Sequence, residues 1–172
     1  LDGHAGGESS PSFSDVEFSG NSATYGGAIY SYGASGDSSP TYNQVSFLNN
    51  DAADHGGAVH NDGYNGGASY GQFTDAVFTG NTAASSGGAV FNDGGTSGAS
   101  SPTFSDATFL DNTAGESGGA MFNWGDSGES SPTFQGATFT NNDATDFGGA
   151  LYSDGDGGSS TPQLTDVTIQ LS

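Results

Sequence analysis

One phrase is spelled five times along this chain: an aromatic residue, two further residues, an Asn, a turn of small residues, then Gly-Gly-Ala and an apolar residue. Phe18 to Asn21 is followed by Gly26-Gly27-Ala28-Ile29, and Phe47 to Asn50 by Gly56-Gly57-Ala58-Val59. The pattern returns as Phe78/Asn81/Gly87, Phe109/Asn112/Gly118 and Phe139/Asn142/Gly148. A fixed period of about 30 residues is the signature of one structural unit stacked on copies of itself. Function must then be sought on a periodic surface.

Ser101 to Gly125 serves as a representative unit. Two extended runs stand out in it, Pro102 to Phe109 and Ala120 to Asn123, rich in aromatic residues and Thr and bounded by Gly, Asn, Asp and Ser. The first run is predicted to bend near Asp106, because the apolar positions Phe104, Ala107 and Phe109 do not keep one alternation. No window carries a helical apolar period, and Gly recurs too often for a helix to survive. These features predict an all-β chain folded as a parallel β-helix (β-solenoid). It has about five to six rungs of about 30 residues, three short strands per rung and no helices, each rung pairing with the next at about 4.8 Å. Residues 1–172 read as a single domain, with repeats at approximately 11–39, 40–70, 71–100, 101–130 and 131–160 and a partial one at 161–172.

Stacking turns equivalent positions into columns. Phe18, Phe47, Phe78, Phe109 and Phe139, ending on Ile169, form the first predicted core column. Phe13, Tyr42, Phe73, Phe104, Phe134 and Leu164 form the second, and Ile29, Val59, Val90, Met121 and Leu151 the third. Asn21, Asn50, Asn81, Asn112 and Asn142 are read as an amide ladder at a turn, each side chain bonding its neighbour and the local backbone.

Charge narrows the partners. The chain carries 20 acidic side chains and no Lys or Arg, for a formal net charge of -20. Nucleic acid and acidic membrane surfaces are bound through basic patches and are excluded; metal ions and cationic partners remain. No run approaches the roughly 18 to 20 apolar residues of a membrane span, so no membrane insertion is expected. There is no Cys, hence no disulfide, and no signal peptide is visible before Leu1, which reads as a mature or excised segment of a longer precursor.

Two acidic columns are candidate cation sites: Asp75 over Asp106, with Asp15 and Asp166 in equivalent places, and Asp62 over Asp93 after the third strand. Stacked carboxylates repel unless a cation or proton intervenes, and Ca²⁺ takes such oxygen ligands; a solvated acidic face is the alternative. No other cofactor is expected. A further column, Tyr30, His60, Phe91, Phe122 and Tyr152, alternates with the buried aliphatic one. Pointing outward, it would be an aromatic contact stripe; on a bent strand it would be core. Catalysis is not expected. Enzymes on β-helices set Arg or Lys beside their carboxylates, and His4, His55 and His60 are unrepeated.

The paired motifs, Phe18-Ser19-Gly20-Asn21 with Gly26-Gly27-Ala28-Ile29 and their four further copies, resemble the polymorphic outer-membrane-protein repeat, marked by Phe-x-x-Asn and Gly-Gly-Ala-(Ile/Val/Leu). The resemblance implies a right-handed parallel β-helix in bacterial surface or secreted proteins, often autotransporter passengers acting as adhesins. It thus implies a prokaryotic, extracellular or cell-surface location.

The functional expectation is a non-catalytic structural subunit of a surface fibre or stalk, self-associating head to tail through open β-helix ends. The alternative is an adhesin passenger whose loops, such as Tyr64 to Tyr70 and Gly94 to Ser100, bind a cell-surface receptor or glycan. Ice binding is a lesser alternative, since the outward column Glu17, Ser46, Val77, Thr108, Thr138 and Thr168 is only half Thr.

Overall fold

A computed structural model describes residues 1–170; Leu171 and Ser172, which close the partial last repeat, lie outside the described residues. In the rung that begins at Ser101, the chain runs through Thr103–Ser105, turns at Asp106, continues as Thr108–Leu110, turns again at Asp111, and passes a two-residue pairing at Thr113–Ala114. It then crosses the Gly118-Gly119 corner into Met121–Trp124 and returns through a Gly- and Ser-rich loop. The predicted bend near Asp106 is there. Three strands of three or four residues recur per rung, joined by shorter two-residue pairings, and no helix occurs among the described residues.

All pairing is parallel and passes from one rung to the next. Phe73 pairs with Phe104, Phe78 with Phe109 and Val90 with Met121, so equivalent residues stand directly over one another. The first and second strands build six-stranded sheets and the third a five-stranded one. The chain is therefore a parallel β-solenoid.

Backbone geometry explains which residues occupy the corners. The first corner is filled by Asp15, Gln44, Asp75, Asp106, Gly136 and Asp166, with φ between 51° and 68° throughout. The left-handed region is costly for most side chains and least so for Gly, Asn and Asp. Asp75 and Asp106, read from sequence as a candidate cation column, thus owe their position to the turn, and both side chains are exposed. At the Gly-Gly corner the second glycine is needed for space. A Cβ on Gly88 would lie 2.1 Å from the Gly119 carbonyl oxygen and 2.6 Å from the Thr113 backbone in the next rung.

The three predicted columns are the core. Phe47, Phe78, Phe109 and Phe139 are fully buried and stack face to face at 4.6–4.7 Å between ring centroids. The second column meets them edge-on, as where Phe104 and Phe109 stand 5.5 Å apart at 66°, a favoured aromatic geometry. Burying one such ring stabilises the fold by about 2–3 kcal/mol. Val59, Val90 and Met121 fill the opposite wall.

The Asn ladder forms as predicted. Asn81 Nδ2 donates to Asn112 Oδ1 at 2.9 Å and to the Phe47 carbonyl at 3.0 Å, while its Oδ1 accepts from the backbone N–H and the Nδ2 of Asn50, both at 3.0 Å. A second buried ladder, unread in the sequence, climbs the third strand. Asn61 Nδ2 donates to Asn92 Oδ1 and Asn92 Nδ2 to Asn123 Oδ1, each at 2.8 Å, and Asn123 Nδ2 to Ser153 Oγ at 3.1 Å. Both ladders satisfy polar groups that would otherwise be stranded in a dry interior, except at the start of the second, where Asn61 Oδ1 has no partner among the described residues.

Candidate binding groove

Strands Ile29–Tyr32, Val59–Asp62, Val90–Asp93, Met121–Trp124 and Leu151–Asp154 form the third sheet. Side chains alternate across a strand. Val59 and Asn61 of each such pair face the core, leaving two columns on the outer face: Tyr30, His60, Phe91, Phe122 and Tyr152, and beside them Tyr32, Asp62, Asp93, Trp124 and Asp154.

The column read from sequence as either contact stripe or core stands in register on the outer face, but much of it is covered. His60 is 5% exposed and Phe91 2%, whereas Tyr30, Phe122 and Tyr152 are half-buried. The cover is a column that sequence reading missed, the residue just before each Gly-Gly: Tyr25, His55, Ser86, Ser117 and Phe147. Tyr25 lies edge-on to His60 at 5.6 Å, His55 stacks on Phe91 at 4.4 Å, and Phe147 stacks on Tyr152 at 5.6 Å. At Ser86 and Ser117 the covering residue is too short to reach. There the cover is interrupted and a cavity of about 380 Å³ opens, lined by Phe91, Phe122, Trp124, Phe147 and Tyr152 together with His55, Glu116 and Asp154. A second cavity of about 320 Å³, lined by Tyr25, Tyr30, His60, Asp62 and Asp93, shares His55 and Trp124 with the first.

Asp62 and Asp93 stand in register, as the sequence predicted. Their side chains open the following loop: Asp62 Oδ1 accepts from the Tyr64 N–H at 2.9 Å and Asp93 Oδ1 from the Gly95 N–H at 2.8 Å. Asp62 also accepts a short hydrogen bond from the Tyr30 hydroxyl. Burial raises the Tyr30 hydroxyl's pKa, reinforced by that carboxylate. Burial likewise pushes the Asp93 carboxyl up to about 6, with Asp62 and Asp126 adding to the rise against the Gly95 hydrogen bond. Among the described residues no group of three or more His, Cys, Asp or Glu is placed to hold a metal ion, so this column offers a cation two carboxylates in register.

His60 is almost wholly buried, and neither ring nitrogen makes a hydrogen bond among the described residues. Burial, with a smaller contribution from the neighbouring His55, lowers its pKa to about 3. The folded site thus stays neutral where the unfolded chain takes up a proton, so stability is lost as pH falls from about 6.5 toward 3. His60→Phe, matching Phe91 and Phe122 in its column, is expected to raise the melting temperature. The gain should be larger at pH 5 than at pH 7.5, the pH-dependent part amounting to about 2 kcal/mol at pH 5. Equal gains at the two pH values in thermal scans would show that His60 titrates as an ordinary histidine.

The loops expected to carry binding are stitched into the stack. Thr96 N–H donates to the Asp126 carbonyl at 3.0 Å and Ser97 N–H to that of Ser127 at 2.7 Å. Tyr64 and Tyr70 are their exposed large side chains, at 38% and 41%. The groove is the more enclosed aromatic feature.

The Chlamydia polymorphic membrane protein repeat matches residues 15–32, 75–93 and 136–154. Each match starts on a first-corner residue, Asp15, Asp75 or Gly136, and ends with the third strand at Tyr32, Asp93 or Asp154. It thus takes in the second strand, the ladder Asn, the Gly-Gly corner and the outer face of the third sheet. The rungs between the matches keep the same register and the same hydrogen bonds. No curated protein and no solved structure matches the chain. Motif, register and match converge: the chain is a parallel β-solenoid, and three of its rungs match the Chlamydia polymorphic membrane protein repeat.

Proposed function

We propose that this solenoid is a non-catalytic binding segment at a bacterial cell surface and that it makes contact through the aromatic groove. The observation that carries this reading is the interrupted cover: Ser86 and Ser117 leave Phe122, Trp124 and Tyr152 reachable on an outer face whose neighbouring rings are shielded. Concave, mostly apolar sites with a few polar groups at their rim are the usual form of a ligand site. Repetition supports the absence of catalysis, because each rung restates a scaffold; the groove's Ser86 and Ser117 make no side-chain hydrogen bond to its His55 or Glu116 among the described residues.

Ser117→Phe, which extends the cover as Phe147 does one rung on, tests the reading. Beads coated with the wild-type chain are expected to adhere to cultured cells, and beads carrying the variant to lose at least about tenfold in adhesion, about 1.4 kcal/mol, with an unchanged melting temperature. Adhesion indifferent to the substitution, or no better than that of uncoated beads, overturns it.

Head-to-tail assembly is a second reading: the parallel rungs pair edge to edge throughout, and the same pairing can join one rod to another. Continuous fibres of single-rod width in electron micrographs support it; dispersed short rods count against it.

A further inference from the structure

The groove is acidic as well as aromatic, and the one basic side chain lining it is His55, whose pKa burial lowers. Glu116 and Asp154 line the cavity, and a chain without Lys or Arg has no side-chain cation beyond three His to pair with them. Between them stand the rings of Phe122, Trp124 and Tyr152. Asp154 pairs in register with Trp124, and Phe122 lies 5.1 Å from Tyr152. A cation held over the face of Trp, Tyr or Phe within about 6 Å is attracted by the ring quadrupole, and here carboxylates reinforce that attraction. The surrounding field, from a net charge of -20, repels anions and concentrates cations at the mouth. A neutral ligand would use the rings and leave both carboxylates without a counter-charge.

We infer that the groove takes a cationic side chain, the guanidinium or ammonium of a basic peptide segment on the partner, inserted among Phe122, Trp124, Phe147 and Tyr152 and bound by Glu116 and Asp154. The inference rests on the groove being the binding site. The cavity, about 380 Å³, admits the end of one such side chain, and the remainder of the partner lies across the rungs. Arg suits the site through its flat, weakly hydrated head, which stacks on aromatic faces.

Trp124 is the single tryptophan of the chain and stands in the groove, so its emission reports occupancy. The probes are end-capped Gly-Arg-Gly and Gly-Lys-Gly, with end-capped Gly-norleucine-Gly and lactose as neutral comparators. The cationic peptides are expected to change Trp124 emission saturably. Their affinity should fall at least about tenfold in the Glu116→Gln/Asp154→Asn double variant, in which the acceptor oxygen for the Asp156 N–H is kept, and be lost in Ser117→Phe. Norleucine peptide or lactose binding as well as the cationic peptides overturns the cation assignment and leaves the groove standing as a binding site. A cation response unaltered in both variants places the cations in the diffuse atmosphere of the rod and overturns the inference. An absence of any response in the wild-type chain overturns it too.

Discussion

Asn81→Ala is expected to destabilise the rod by about 4 kcal/mol, because it removes four hydrogen bonds in a dry turn, at about 1 kcal/mol each. The backbone N–H and Nδ2 of Asn50, the Phe47 carbonyl and Asn112 Oδ1 all lose a partner, and Asn81 itself is fully buried. The ladder supplies its own control. Asn21, at the exposed end, donates only to Asn50 Oδ1, so Asn21→Ala is expected to cost about 1 kcal/mol or less. Urea unfolding of the two variants checks the pair: equal, small losses would mean that the ladder follows the fold and does not hold it.

Gly88→Ala is expected to be more damaging still, by at least about 4 kcal/mol, the range in which steric insult to a core falls. Its Cβ would sit 2.1 Å from the Gly119 carbonyl oxygen and 2.6 Å from two Thr113 backbone atoms, and neither segment can withdraw without breaking parallel pairing. The rungs must part locally. Gly149 occupies the same place in the last complete copy, where the nearest atom to a Cβ is the Asn142 carbonyl oxygen at 3.1 Å. Gly149→Ala is accordingly expected to cost about 1 kcal/mol or less. Soluble yield and melting temperature separate the two substitutions, and similar behaviour would mean that rung spacing is softer than the packed backbone implies.

What could be seen in the sequence was whatever repeats along the rod axis. The three core columns, the amide ladder and the bend at Asp106 all follow from asking which residues stand above which, and the 30-residue period answers that directly. Relations across a rung were harder to see, because they depend on corner angles that one aligned copy does not display. The folding of Tyr25, His55 and Phe147 over the outer stripe is such a relation. The signal was in the chain, a column reading Tyr, His, Ser, Ser, Phe before each Gly-Gly. Its meaning needed the direction in which the corner throws the side chain. The acidic first corner shows the converse: Asp75 and Asp106 invite a cation by chemistry, while φ near 50° accounts for them by backbone preference. Asn61, Asn92 and Asn123 escaped notice because their column begins on Ser31 and ends on Ser153, and only the register shows that this position of the third strand faces inward.

The covering column and the core columns are separate sets of residues on a common frame. A change at Ser86 or Ser117 opens or shuts a cavity while Phe78, Phe109, Asn81 and Asn112 keep their partners. Such a frame lets a lineage of surface proteins alter what it touches one storey at a time, by substitution or by gain and loss of whole rungs, without renegotiating the interior that keeps the rod folded.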